Sequence, residues 1–140
     1  MKRPQSRSRL PKRKSVRLQK HPGAVESVVH SAIVAYLEAV LIFPTWFTTI
    51  PGGHRRRTTT PGYKSGCPDI LIIPPKLRGL PIIMLELKRE RGGVVSKKQI
   101  ECHSDLRFNG VHVAVVRSID EVRLVFEKVG LCTKENSRRL

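Results

Sequence analysis

The stretch CPDILIIPPKLRGLPIIMLELKRERGG, residues 67–93, constrains the fold more than any other part of the chain. Two apolar runs flank a Pro-Pro and Gly turn, which predicts strands from Asp69 to Ile73 and from Ile82 to Lys88, joined as a hairpin. Alternation puts Ile82, Met84, Glu86 and Lys88 on one face of the second strand and Ile83, Leu85 and Leu87 on the other. Both faces are largely apolar, as in a central strand covered on both sides. Such a strand nevertheless ends in Glu-Leu-Lys, and Asp69 heads its neighbour. An ionised carboxylate there needs compensation on the order of several kcal/mol, from a cation, a charged partner or a water-filled cleft. In a hairpin, Asp69 and Glu86 converge at one end of the sheet. Two carboxylates plus water make a hard-oxygen site suited to Mg²⁺ or Mn²⁺. Lys88 is then placed to hold or activate an attacking water. The simpler reading of Glu86 and Lys88 is a salt bridge at a strand end.

The rest of the chain builds around this hairpin. From Ala24 onwards, Val25, Val28, Val29, Ala32, Ile33, Tyr36, Leu37 and Val40 follow helical spacing and form one apolar stripe, limited by Pro44. The segment 45–50, TWFTTI, is β-branched and aromatic and predicts a strand. Residues 51–66 form a basic loop punctuated by Gly and Pro. Ser96-Lys97-Lys98-Gln99 fits a capping box that opens a helix, and Asn109-Gly110 closes it. A fourth strand follows over 111–116. Ser118-Ile119-Asp120-Glu121 is a second capping-box start, for a helix to about Lys128. The order α-β-β-β-α-β-α predicts an α/β fold, a mixed sheet flanked by helices.

Charge narrows the partners. The chain of 140 residues carries 27 Lys+Arg against 11 Asp+Glu, a formal net charge of +16. A basic excess of that size points to a polyanion, most often nucleic acid. No window approaches the roughly 18 consecutive apolar residues of a membrane span, so no membrane partner is expected. The first 20 residues hold nine of the basic residues and no acid. Residues 1–22 therefore read as a disordered basic tail, 23–130 as the folded domain and 131–140 as a polar C-terminal tail. The three cysteines show no CxxC spacing, which argues against zinc and suits a reducing compartment. A non-catalytic basic nucleic-acid-binding protein would share this charge. It would gain nothing from two acids converging beside phosphate.

Taken in order, these pieces resemble the virus-type replication-repair nuclease (VRR-NUC) domain of the PD-(D/E)xK nuclease superfamily. The resemblance runs from Glu26 to Val116. It comprises an early helix with an acid near its start (Glu26), the Gly/Arg-rich PGGHRRR, GCPDILII, LELK, the SKKQ helix start and the segment NGVHVAVV. It implies a restriction-endonuclease-like fold and Mg²⁺- or Mn²⁺-dependent cleavage of DNA. By that resemblance Asp69, Glu86 and the backbone carbonyl of Leu87 would hold the metal. Lys88 would position or deprotonate the water. Gln99 is an active-site residue by the same match, and a helix cap by its place in the capping box. Glu26 either leans into the cleft as a further metal ligand or is solvated. Arg55, Arg56 and Arg57, with Lys64, are the expected DNA contacts, because guanidinium forks fit phosphate oxygens. His30, His103 and His112 read as ordinary surface or half-buried residues. The family's stand-alone members suggest a homodimer. The expected setting is intracellular DNA replication, repair or recombination. That means the bacterial cytoplasm for a phage protein, and the nucleus for a eukaryotic or viral one.

Overall fold

Pro22 stands at the first position of α1 (Pro22–Val40), where its missing N–H costs nothing. The buried residues of this helix are Ile33, Tyr36, Leu37 and Val40. They repeat at the helical period, so one stripe faces inward. The stripe is narrower than the sequence pattern suggests, because Val28 and Ala32 are exposed. A turn with a cis Phe43–Pro44 bond leads into β1 (Trp46–Thr49). β2 (Ile70–Ile73) and β3 (Ile83–Leu87) follow, joined through a short 3₁₀ turn that ends at Gly79 with φ 63°. Then come α2 (Lys97–Phe108), β4 (His112–Val116) and α3 (Ile119–Val129). The computed structural model describes residues 22–51, 62 and 64–137. The expected basic tail and the Arg55, Arg56 and Arg57 cluster lie outside the described residues.

The four strands form one mixed sheet in the order β1-β2-β3-β4. β1 pairs antiparallel with β2, and β2 antiparallel with β3, as the hairpin reading requires. β4 lies parallel to β3, with Leu87 opposite Val116. Parallel neighbours need a crossover, and α2 supplies it. The sheet and its three helices are the α/β architecture expected from the sequence.

One face carries the core. Ile70, Ile72, Ile83, Leu85, Leu87 and Val116 pack there against Ile33 and Leu37 of α1 and Val122 and Phe126 of α3. Side-chain alternation turns Met84, Glu86 and Val113 to the opposite face, beside α2. Residues 131–137, part of the expected polar tail, pack onto the body. Leu131 is buried, Thr133 bridges Leu41, and the Lys134 N–H donates to the Val40 carbonyl at 2.9 Å. Glu135 accepts from the Tyr36 hydroxyl at 2.8 Å and from Arg123 at 3.0 Å. Charge and polarity suggested a tail here, but Glu135 pairs with α1 and α3, and Thr133 and Asn136 bond to each other within the segment.

Candidate active site

Asp69 stands one residue before β2, and the register continued by one step places it opposite Glu86. Its backbone N–H still donates to the Leu85 carbonyl at 3.0 Å. Its side chain replaces the next ladder acceptor, with Oδ2 accepting from the Leu87 N–H at 2.7 Å. The acid thus caps β3 in the position of a backbone carbonyl, which fixes it to the strand end. Asp69 and Leu87 line a cleft of about 540 Å³ with Glu26, Ser27, His30 and Ser31 of α1 and Thr49, Ile50 and Pro51 after β1. Burial raises the Asp69 carboxyl above its ordinary value, against the pull of the Leu87 N–H and the Lys88 and His30 charges.

Glu86 is 1 % exposed and is held from the α2 side. Its Oε1 lies 2.7 Å from Lys88 Nζ and accepts from Gln99 Nε2 at 2.5 Å. Its Oε2 lies 3.6 Å from His103 Nε2, and neither of these two buried atoms has a hydrogen-bond partner. Burial pushes the Glu86 carboxyl up to about 7; Lys88 opposes the shift, and the charges of Asp69 and Glu26 add to it. Burial together with the Arg107 and Lys88 charges lowers His103, which favours the neutral imidazole beside Glu86. The salt bridge foreseen between Glu86 and Lys88 exists, but it is buried, because the turn after β3 closes over it. Gly93 sits where a Cβ would come within 2.9 Å of the Lys88 Cβ.

Gln99 serves two partners at once. The Ser96 N–H donates to its Oε1 at 2.8 Å, and its own N–H donates to Ser96 Oγ at 3.3 Å, which completes the capping box. With the amide oxygen committed to the helix start, the amide nitrogen faces Glu86. The cap and the site contact, alternatives in the sequence, are two ends of one side chain. Gly66 makes this seating possible. At φ 87° its Cα lies so close to α2 that a Cβ would come within 2.5 Å of the Lys98 carbonyl oxygen.

The other expected residues separate. Glu26 lines the Asp69 cleft and its charge reaches both acids. Lys64 lies elsewhere, in a pocket of about 280 Å³ with Ser65, Lys98, Glu101 and Cys102. The structure also places His103 beside Glu86 and His30 in the Asp69 cleft. Each follows a candidate residue by four positions, Gln99 and Glu26 respectively, so helical spacing alone places each pair on one face. That was the available signal. Among the described residues no group of three His, Cys, Asp or Glu side chains converges as a ready metal cage. A cation here would also need backbone and water oxygens.

Solved structures resemble this chain, and two of them carry names. One, named VRR_NUC domain, is 27 % identical, with a TM-score of 0.50 over 73 % of this chain and 94 % of its own. The other, named VRR_NUC domain protein, is 19 % identical, with a TM-score of 0.57 over 75 % of this chain and 87 % of its own, and speaks to the fold. No family model and no curated protein sequence matches the chain. The family indicated by the order of motifs and the one named for the structural neighbours are the same, and the fold of this chain is that of a VRR-NUC nuclease domain.

Proposed function

We propose that this domain is a metal-dependent DNA endonuclease that hydrolyses phosphodiester bonds in branched or structured DNA during replication, repair or recombination. The observation that carries the reading is the end of β3. There two carboxylates are both raised by burial, and one of them keeps an unpartnered buried oxygen beside a buried lysine. Anions so placed are destabilised until a cation joins them. The donor set fits Mg²⁺ or Mn²⁺: Asp69, Glu86 and the Leu87 carbonyl are hard oxygens, with Glu26 a further ligand through the same cleft. When bound, the ion would supply Lewis acidity and a more acidic water.

The chain's own groups would do the rest. Asp69 is oriented by the Leu87 N–H, so its second oxygen is free to face the cleft. Gln99 holds the Glu86 carboxylate in place. Lys88 would hold or deprotonate the attacking water and set its cation against the charge growing on the phosphate. Arg55, Arg56, Arg57 and Lys64 would contact phosphates. The basic segment 1–22 would add affinity without geometry. The same reading expects an intracellular protein, with one site per strand and a homodimer on symmetric branched DNA. Among the described residues no helix is long and apolar enough to cross a membrane.

The test is cleavage of linear, nicked, flap and four-way DNAs with Mg²⁺, Mn²⁺ or EDTA. Asp69→Ala and Glu86→Ala should each lose roughly 10³-fold or more in rate, the equivalent of several kcal/mol of transition-state stabilisation. DNA binding should persist. Comparable nicking by wild type and either variant refutes the assignment.

A further inference from the structure

Helix α2 docks on the sheet in an unusual way. Its only fully buried residue is His103; of its apolar residues Leu106 is half-buried, and Ile100 and Phe108 are 58 % and 93 % exposed. A surface helix ordinarily buries an apolar stripe. Here the inward positions Gln99 and His103, one turn apart, both end on Glu86. Each takes a different oxygen: Gln99 Nε2 meets Oε1 and His103 Nε2 faces Oε2.

Two facts bear on what His103 does there. Its side chain is 2 % exposed, and its Nε2 and the Glu86 Oε2 are the two buried side-chain atoms without partners among the described residues. They face each other at 3.6 Å, a few tenths of an ångström beyond a hydrogen bond. Buried polar atoms left unpaired are costly, and each of these is the other's nearest remedy. Oε1 already serves both Lys88 and Gln99, so Oε2 is the oxygen with lone pairs to spare.

We propose that His103 is a positioning residue for Glu86, donating its Nε2–H to Oε2 so that α2 fixes both carboxylate oxygens. This rests on the reading of Glu86 as a cation ligand. A carboxylate oxygen has two lone-pair positions, so His103 on one leaves a second for a cation. Partners behind a ligand fix its orientation, and losing one typically weakens metal binding about 10- to 100-fold. The histidine would not touch substrate or ion. It would hold the carboxylate plane steady, as the capping amide of Gln99 does from the adjacent turn.

The experiment uses the full chain without DNA. Mn²⁺ is titrated calorimetrically into wild type, His103→Leu and His103→Phe, and each is melted in EDTA. Both variants should bind Mn²⁺ at least about tenfold more weakly, and should melt somewhat lower in EDTA, because Glu86 Oε2 loses its donor. A purely structural histidine gives a lower melting temperature with unchanged Mn²⁺ affinity, and that overturns the proposal. Should neither variant fold, the tautomer of His103 in the wild-type chain decides, read from long-range ¹H–¹⁵N correlations. The proton on Nε2 is expected, and a proton on Nδ1 alone contradicts the hydrogen bond. Wild type that binds no Mn²⁺ at all would count against the nuclease reading itself. Wild-type binding with equal affinity in both variants removes only the role of His103.

Discussion

The two faces of the sheet are built on opposite terms. On the α1/α3 face the core is a continuous cluster of apolar side chains, from Ile33 and Leu37 through Leu85 to Phe126. On the α2 face the buried groups are Glu86, Lys88 and His103, with Met84 and Val113 for company. The first face gains stability from area removed from water. The second removes a carboxylate, an ammonium and an imidazole from water and recovers part of that cost through Gln99 and the Glu86–Lys88 pair. A buried ion pair is weak evidence for stability, since apolar residues of similar volume often do as well or better. The polar face is therefore best understood as a site the apolar face supports. β3 belongs to both: Leu85 and Leu87 anchor it on one side, Glu86 and Lys88 present chemistry on the other.

This contrast can be broken from either side. The largest stability effect is expected on the apolar face. Phe126→Ala should destabilise by about 3–5 kcal/mol, the usual range for deleting a buried ring. Denaturant melts measure it, and the cleavage rate of the remaining folded protein should be close to wild type. A smaller, mixed effect is expected where the faces meet. Gly66→Ala forces a Cβ to within 2.5 Å of the Lys98 carbonyl oxygen at a positive φ. It should cost about 1–3 kcal/mol and also slow cleavage, because the first turn of α2 carries Gln99 to Glu86. A stability loss with no loss of rate would detach that turn from the site.

The smallest effect sharpens the comparison by pH. Glu86 has its folded value raised from 4.5 to about 7. Between those values the native protein binds more protons than the unfolded chain, so this group's contribution to stability is full below about pH 4.5 and is lost as pH rises through 7. A cation that needs the ionised acid follows the opposite trend, since a proton competes with it. Mn²⁺ affinity should therefore be roughly tenfold weaker at pH 6 than at pH 8, a single-proton competition. A flat profile would place the ion away from Glu86.

Much of the fold was legible because apolar periodicity and chain breakers point the same way in this sequence. The α1 stripe, the hairpin around Pro74-Pro75 and the capping box at Ser96 each match an element in place. The site was half legible. Asp69 and Glu86–Lys88 stood out as charge at the ends of apolar strands. His103 did not, because an inward helix face made of Gln and His leaves no trace in hydrophobic periodicity. Nor did the packing of 131–137, whose anchors are single side chains, Leu131 and Glu135, in a polar stretch. The parallel pairing of β3 with β4 depends on how α2 crosses over, which strand composition does not record.

The central claim is that the polar face is a cation site resting on an apolar core. Thermal unfolding of wild type and of the Asp69→Ala, Glu86→Ala double variant, each in EDTA and in Mn²⁺, tests it most directly. Binding to the native state adds RT ln(1 + [L]/Kd), about 2.7 kcal/mol at a hundredfold excess over Kd. The account predicts a clear rise in the wild-type melting temperature with Mn²⁺ and little or none in the double variant. Equal rises in both proteins would contradict it.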